Sequence, residues 1–307
     1  MENAASNQVI GIVGFGEVGR IFSAALVGRS DVSSVSAYDR KFKQVLFPVR
    51  FKNAADDTQV AVVPTLESLC ASATLLISAV TASNTLAVVG EAAAYIKPGT
   101  VFRDLNSASP KTKQQASEAI EVAGGRYVEV AVMSSVPPHG IKVPMLLGGR
   151  HAHEVAPLLK EWGMNVAVAS SSVGTVSAIK MCRSIMIKGM EALVIESFST
   201  ALHYGVSDDV LNSLAESFPQ IDWPLQGAYF FSRVVKHGGS RAEEMRESAS
   251  TVREAGFAPV MAASIAEKID WVSQLAKKGL FDSVPEHATW PEYAKQLMSH
   301  ANQSGRE

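Results

Sequence analysis

The residues best suited to chemistry lie on one face of a long predicted helix, from about Gly174 to His203. Apolar residues cover most of its circumference, and one polar stripe interrupts them. The stripe has steps of three or four residues, which place it on one helix face: Ser177, Lys180, Ser184, Lys188 and Glu191. Because a lysine is rarely buried without a partner or a task, Lys180 and Lys188 are candidates for a functional site. The alternative is that the stripe faces water.

A glycine-rich turn near the start of the chain predicts a nucleotide site. A strand-like run over residues 8–13 leads directly into the turn, and a helical pattern follows over residues 20–27. Glycines in this setting allow a tight turn and the close approach of a pyrophosphate, whose charge is met by free amides at the helix N-terminus. The candidate cofactor-binding residues of this turn are Gly14, Phe15, Gly16, Glu17, Val18 and Gly19.

Asp39 closes the second strand-like run, residues 35–38. An acid at this position accepts hydrogen bonds from the adenosine ribose hydroxyls and repels a 2'-phosphate, which favours NAD over NADP. Arg40, Lys41 and Lys43 follow directly and could favour the phosphate, so we expect NAD or NADP with a preference for NAD. Arg40 is included among the candidate cofactor-binding residues. A glycine turn in a nucleotide-free α/β protein is the remaining alternative.

The elements around these residues alternate between strand and helix patterns up to about residue 170. This alternation predicts an α/β fold with a Rossmann-type, doubly wound parallel sheet, whose ligands gather at the carboxyl ends of the strands. A strand-to-helix junction and two polar loops fall at that edge, although either loop could be ordinary turn chemistry. The junction supplies the cofactor candidates Val80 and Thr81, and the loops supply the substrate candidates Asn106, Ser107, Ser134 and Ser135.

Beyond His203 the strand patterns vanish, and helical patterns predict an all-α second domain. They cover residues 208–217, 224–236, 240–255, 259–278 and 290–300. Ser240 is a predicted N-cap with Glu243 at the third helical position, which predicts a helix start there. We expect a Rossmann-type domain over residues 1–170, a long interdomain helix over 171–204, and an all-helical domain over 205–307. Residues 41–58 fit the alternation poorly and receive no prediction.

Composition and charge exclude several other classes of protein. Lysine and arginine total 28 against 30 acids, and no basic run interleaved with aromatics is present, so we expect no nucleic-acid partner. No signal-peptide pattern or membrane-length apolar run is found, and we expect a cytoplasmic protein without membrane contact. Cys70, Cys182 and the scattered histidines show neither disulfide nor metal-ligand spacing, so we predict no metal site.

The order of these motifs resembles the β-hydroxyacid dehydrogenase family, which includes 3-hydroxyisobutyrate dehydrogenases, tartronate semialdehyde reductases and, more distantly, 6-phosphogluconate dehydrogenases. The resemblance covers nearly the whole chain. It is carried by the glycine turn at 14–19, the segment 104–110, the Ser134-Ser135 loop ending at Gly148-Gly149, and Gly174 followed six residues later by Lys180. The C-terminal half, especially residues 241–245, resembles a less characterised branch whose helical domain differs.

The resemblance implies a role for each matching residue. It implies that Lys180 is the catalytic residue, that the serine loops hold the substrate, and that the helical domains form a homodimer. Ser184 stands where the family usually has asparagine, and we expect it to aid orientation. Ile187 stands where phosphogluconate dehydrogenases carry a glutamate, which argues against their decarboxylating mechanism. Lys188 and Arg241 are expected to bind an anionic substrate group.

These residues together predict an NAD(P)-dependent oxidoreductase. Oxidation of an alcohol needs a base for the hydroxyl proton, and a lysine can serve near neutral pH if desolvation or a neighbouring cation lowers its pKa. We expect a small 3-hydroxyacid or a sugar-acid-like anion as the substrate. One alternative is an imine reductase, which usually has another residue at the position of Lys180. Another is an NAD(P)-binding sensor without turnover, which the departures at Ser135, Val136 and Ser184 keep open.

Overall fold

The chain divides into two compact units, and the boundary between them falls within the helix Thr175–Tyr204. The computed structural model describes residues 7–43 and 59–304. The units are Met1–Lys180 and Met181–Glu307, whereas the sequence analysis placed the first boundary at residue 170 and treated the helix separately. Residues 44–58, most of the stretch without a prediction, lie outside the described residues.

The first unit is built on one eight-stranded sheet with the order β3-β2-β1-β4-β5-β6-β7-β8. The strands are β1 (Gln8–Val13), β2 (Val32–Tyr38), β3 (Ala61–Val62), β4 (Leu75–Ser78), β5 (Val101–Asp104), β6 (Arg126–Val132), β7 (Met145–Gly148) and β8 (Val166–Ser170). The helices between them are α1 (Glu17–Leu26), α2 (Leu66–Ser72), α3 (Thr85–Ala93), α4 (Pro110–Val122) and α5 (Ala152–Glu161). Short 3-10 turns cover Arg40–Lys43, Ala82–Asn84 and Gly140–Lys142.

The sheet is parallel from β3 to β6, as the alternation predicted, and then reverses. β6 and β7 pair antiparallel, with Glu129 opposite Gly148, and β8 runs parallel to β7. A parallel neighbour would need a crossover of a dozen or more residues, usually a helix. The connection from β6 to β7 contains Pro137, Pro138 and only a short 3-10 turn. The prediction of a parallel sheet is therefore wrong for this pair, because the chain has no helix with which to cross over.

Both faces of the sheet are covered, which explains why the strands are almost continuously apolar. One cluster of buried side chains includes Phe22 of α1 and Trp162 after α5, and another includes Leu69 of α2 and Ile120 of α4. The carboxyl ends of the parallel strands remain available for polar loops.

The second unit is helical. It contains most of α6 (Thr175–Tyr204), then α7 (Ser207–Ser217), α8 (Trp223–Glu254), α9 (Val260–Lys277) and α10 (Trp290–Ser304). Within the described ranges, no helix is long and apolar enough to span a membrane. The predicted helix start at Ser240 is wrong, because α8 runs unbroken through it and the Ser240 hydroxyl donates to the carbonyl of His237 at 3.1 Å. Gly238 is buried there, and a Cβ on it would lie 2.8 Å from the Cβ of Ser273 in α9. The absence of a side chain at Gly238 therefore allows α8 and α9 to pack closely.

Candidate functional site

The glycine turn between β1 and α1 has the shape of a pyrophosphate cradle. Gly14 has a φ of +92°, and a Cβ on it would lie 2.6 Å from the carbonyl oxygen of Ala79. A Cβ on Gly19 would lie 2.0 Å from the carbonyl oxygen of Gly14, whereas one on Gly16 would meet nothing within 4 Å. Gly16 is the N-cap of α1 and offers no side chain to its first amides, those of Glu17, Val18 and Gly19. The turn therefore fits a bound dinucleotide.

Asp39 is held beside this turn by backbone amides. Its Oδ2 accepts a hydrogen bond from the amide of Phe15 at 2.9 Å, and its Oδ1 accepts one from Lys41 at 2.9 Å. Each oxygen keeps a further lone pair with which to accept a ribose hydroxyl. The Arg40 guanidinium donates to Oδ1 of Asn84 at 2.8 Å. The carboxylate that would select a ribose is therefore fixed in place, and the neighbouring cation has a partner.

Asn106 joins the carboxyl ends of β4 and β5. Its Oδ1 accepts from the amide of Val80 at 2.7 Å, and its Nδ2 donates to the hydroxyl of Ser78 at 3.0 Å. Thr81 follows Val80, and its hydroxyl accepts from Asn84 at 2.5 Å. Asn106 is almost completely buried. Asn106, a predicted substrate ligand, thus braces the loops that follow β4 and β5.

Lys180 lies at the same edge of the sheet. Its Nζ donates to the hydroxyl of Ser107 at 2.5 Å, and both side chains are half-buried. Ser107 belongs to the loop after β5, and Lys180 is in the second turn of α6. Ser134 is exposed and Ser135 is half-buried in the loop after β6. The structure therefore brings a lysine amine and a serine hydroxyl together in the first unit, across 73 positions of sequence.

A buried ionic cluster supports the loop that carries Ser107. Asp104 pairs with Lys113 at 2.9 Å, and its Oδ2 accepts from the Tyr127 hydroxyl at 2.7 Å. Its Oδ1 also accepts from the amide of Asn106 at 2.9 Å. Burial raises the pKa of Tyr127 well above its usual value, and the charge of Asp104 raises it further, so the hydroxyl stays protonated and donates. These bonds fix the start of the loop.

Glu129 of β6 fixes the start of α6. This completely buried carboxylate accepts from the backbone amides of Gly174 and Ser177, each at 2.8 Å, and from the Ser177 hydroxyl. Ser177, the first residue of the predicted polar stripe, is thereby turned toward the sheet. Lys180 follows three residues later.

Ser184 and Lys188 belong to the second unit and share a carboxylate there. The Ser184 hydroxyl donates to Oε1 of Glu244 in α8 at 2.5 Å, and the Lys188 Nζ lies 3.1 Å from the same oxygen. Lys188 also donates to the Ser184 hydroxyl at 3.3 Å. The charge predicted to bind an anion is thus neutralised by an acid on the neighbouring helix.

Arg241 is paired in the same way. Its guanidinium binds both carboxylate oxygens of Glu191, with Nε 2.8 Å from Oε2 and a second contact from Nη2 to Oε1. Burial raises the pKa of Glu191, and the charge of Arg241 opposes that rise. Such a two-point pair fixes α8 against α6 within this unit. Arg241 therefore has a carboxylate partner within this unit, and its role as an anion ligand stays a prediction.

The sequence analysis missed Asp104, Lys113, Glu129 and Glu244 as supporting residues. A signal was present for Glu129, because an acid in the apolar run Tyr127–Ala131 needs a partner when the strand is buried. Asp104 gives a weaker signal at the end of its strand. Glu244 lies among other charged residues of α8, and no local pattern distinguishes it.

Comparisons with known proteins agree with this geometry. Residues 9–173 match the family described as the NAD binding domain of 6-phosphogluconate dehydrogenase, and residues 201–272 match a domain of unknown function. A conserved hypothetical protein from Sinorhizobium meliloti 1021 is 34% identical over 96% of this chain and all of its own, with a TM-score of 0.74.

Two further solved structures are more distant. A conserved protein of unknown function, described as structurally similar to 3-hydroxyacid dehydrogenases, is 29% identical over 88% of this chain and 98% of its own, with a TM-score of 0.67. A 3-hydroxyisobutyrate dehydrogenase from Mycobacterium tuberculosis, solved with L-serine, is 16% identical over 95% of this chain and 98% of its own, with a TM-score of 0.63. The last likeness concerns the fold alone.

The cofactor turn and the match over residues 9–173 lead to the same class of protein. The first unit is a nicotinamide-cofactor domain, and the chain is an oxidoreductase of the NAD(P)-dependent type. Through that domain it belongs to the β-hydroxyacid dehydrogenase family, and its helical unit carries the match to a domain of unknown function.

Proposed function

We propose that the protein is a dehydrogenase that oxidises a small 3-hydroxyacid with NAD, using Lys180 as the acid and base. The observation that carries the proposal is the 2.5 Å contact from the Lys180 amine to the Ser107 hydroxyl. It lies at the edge of the sheet that carries the glycine turn. Open α/β sheets bind their ligands at this edge.

The side chains divide the work as follows. Neutral Lys180 accepts the proton of the substrate hydroxyl, and the protonated amine returns it when the carbonyl is reduced. Ser107 occupies one hydrogen-bonding position of the amine and thereby orients it toward the substrate oxygen. Bound nicotinamide supplies the hydride acceptor. Asp104, through its bonds to Lys113 and Tyr127, keeps the Ser107 loop in place during this proton transfer.

The substrate carboxylate is assigned to the serine hydroxyls of the two loops, those of Ser107, Ser134 and Ser135. Lys188 and Arg241 were the expected cationic partners, but each already carries a carboxylate in the second unit. An anion would have to compete with those carboxylates. The proposal therefore favours a compact hydroxyacid with one carboxylate over a phosphorylated sugar acid.

The preference for NAD follows from Asp39. Its carboxylate is fixed by two amides and would repel a 2'-phosphate, whereas Arg40 is engaged by Asn84. We expect Asp39→Ser to weaken NAD binding and to raise the ratio of kcat/KM for NADP over that for NAD. An unchanged ratio would remove Asp39 from cofactor selection.

The proposed assembly is a homodimer formed through the helical unit. Large apolar side chains are exposed on its long helices, among them Leu193 at 58% and Leu225 at 68%. Exposed apolar surface of this kind favours association. Light scattering of the purified protein measures the mass directly, and a monomer at micromolar concentration would contradict the assembly.

The experiment that tests the function is turnover of the purified chain with a panel of 3-hydroxyacids, sugar acids and cyclic imines. We expect oxidation of a small 3-hydroxyacid, and we expect Lys180→Met to reduce kcat by about 100-fold or more while the Kd for NAD stays unchanged. Normal turnover in this variant would refute the mechanism. Turnover of imines alone would assign the chain to imine reduction. Binding of NAD without any turnover would support the alternative that the protein is a nucleotide sensor.

A further inference from the structure

Glu129 is a completely buried acid at the start of α6 that the proposed proton transfer does not use. It lies in the middle of β6 with apolar neighbours, and its side chain is 0% exposed. Its contacts with α6 come from three donors: two amides and one hydroxyl. An ionised carboxylate only accepts hydrogen bonds, so this set of partners fits the charged form.

These contacts replace the usual capping of a helix. Gly174 is the N-cap of α6, because its carbonyl accepts the first helical bond, from the amide of Ala178 at 2.9 Å. In a capping box, the N-cap side chain binds the third helical amide, and the third residue's side chain binds the N-cap amide. Gly174 has no side chain, and the Ser177 hydroxyl is directed to Glu129. One carboxylate from a distant strand binds both amides, and it brings negative charge to the positive end of the helix.

The sheet leaves space for this carboxylate. Gly148 of β7 is the register partner of Glu129, and a Cβ on Gly148 would lie 2.9 Å from Oε2 of Glu129 and 2.8 Å from Cγ2 of Val176. A larger residue would displace the carboxylate or the first turn of α6. Gly148, the first glycine of the Gly148-Gly149 pair, is therefore explained by the space that the Glu129 side chain needs to reach α6.

We propose that Glu129 is a positioning residue for Lys180. Lys180 follows Ser177 by three residues and lies one turn further on the same face of α6. The point at which Glu129 fixes the helix therefore determines where the Lys180 amine lies relative to Ser107. The same carboxylate sets the charge at that end of the helix, which favours the protonated amine. This inference rests on the proposed role of Lys180 as acid and base.

The test compares Glu129→Gln and Glu129→Asp with Asp31→Asn as the matched control. Asp31 accepts from Nε1 of Trp162 at 2.6 Å and precedes β2, at the opposite edge of the sheet. Two quantities are measured for each protein. One is kcat and KM for the hydroxyacid and for NAD. The other is the pH dependence of acetylation of the Lys180 amine by acetic anhydride, quantified at that residue by mass spectrometry, which needs no substrate.

We expect Glu129→Gln to reduce kcat by about 100-fold, the effect of a misplacement of about 1 Å, while KM for NAD stays unchanged. Its Lys180 acetylation profile should move to lower pH, because loss of a negative charge favours the neutral amine. Glu129→Asp keeps the charge and should retain the wild-type profile. Asp31→Asn should match the wild type in both measurements. A role confined to stability would leave the acetylation profile unchanged, and that result would overturn the inference.

Two outcomes separate this inference from the proposed function. If the wild type turns over no hydroxyacid, the proposed function fails, and the acetylation profiles still decide on Glu129. If Glu129→Gln does not fold, Ser177→Ala replaces it, because this variant removes one of the three hydrogen bonds and leaves both amide contacts. We expect Ser177→Ala to lower kcat about 3- to 10-fold. Wild-type kcat in both Ser177→Ala and Glu129→Asp would overturn the inference.

Discussion

Gly238 and Gly239 are neighbours in α8, and the structure predicts opposite effects when each is replaced by alanine. A Cβ at position 238 would lie 2.8 Å from the Cβ of Ser273 and 3.3 Å from the carbonyl oxygen of Ile269. A Cβ at position 239 would lie 3.7 Å from the Ser273 hydroxyl and 3.9 Å from the Lys277 amine. The first pair of distances requires α8 and α9 to move apart. The second pair is ordinary van der Waals contact.

The magnitudes follow from helix propensity and packing. Alanine is more favourable than glycine inside a helix by about 1 kcal/mol, and both positions should gain this amount. At position 238, overpacking costs about 1–3 kcal/mol, because the nearest atom is a Cβ held close to the backbone of α9. We therefore expect Gly239→Ala to raise the free energy of unfolding by about 1 kcal/mol. We expect Gly238→Ala to lower it by up to about 2 kcal/mol, which is the overpacking cost less the gain in helix propensity.

The assay is urea unfolding followed by tryptophan fluorescence, since Trp223, Trp271 and Trp290 all lie in the helical unit. The urea concentrations at the unfolding midpoints are compared between variants whose free energy of unfolding falls with urea at the same slope. Ser273→Gly removes the clashing Cβ, so Gly238→Ala combined with it should be less destabilised than the sum of the single variants. Equal effects of the two alanines would refute close packing at Gly238. Destabilisation by both would indicate the helix break that the sequence suggested.

Two further predictions concern buried charges. Glu191→Gln should destabilise the protein by about 3–5 kcal/mol, because it leaves the Arg241 guanidinium without its carboxylate, whereas Glu191→Met with Arg241→Met should be nearly neutral in urea unfolding. Arg103 is fully buried, its Nε and Nη2 have no hydrogen-bond partner among the described residues, and burial lowers its pKa to about 9. Arg103→Met should therefore stabilise the protein by about 1–4 kcal/mol, and a loss of stability in the same assay would show that the guanidinium has a favourable partner.

Most of the fold follows from local patterns. The glycine turn, the apolar strand patterns and their alternation with helices predict the Rossmann-type sheet, because each of these patterns spans only a few consecutive residues. The reversal at β7 depends on what the preceding loop lacks, a helix with which to cross over. The continuity of α8 depends on a close approach to Ser273, which no window around Gly238 reveals. At Gly238 the sequence-based prediction fails because a tertiary contact overrides local preference.

The candidate site shows the same contrast between local sequence patterns and tertiary contacts. Ser107 and Lys180 were each identified from motif order, and the structure places their polar atoms 2.5 Å apart. Asn106 was predicted to bind substrate, and this role stays a prediction, whereas its contacts in the structure brace two loops. The bracing contacts of Glu129 span 45 and 48 residues, and those of Asp104 span up to 23. The sequence thus predicts the groups that can react better than the groups that hold them.

The charges on α6 show why position on a helix face does not decide a role. Lys180, Lys188 and Glu191 share one stripe, and helical periodicity alone gives no reason to treat the two lysines differently. Glu244 and Arg241 of α8 pair with Lys188 and Glu191. Lys180 donates to the Ser107 hydroxyl, 73 positions away on a loop of the sheet. The contacts that other elements make with the helix, and not the stripe, therefore decide which groups each lysine can approach.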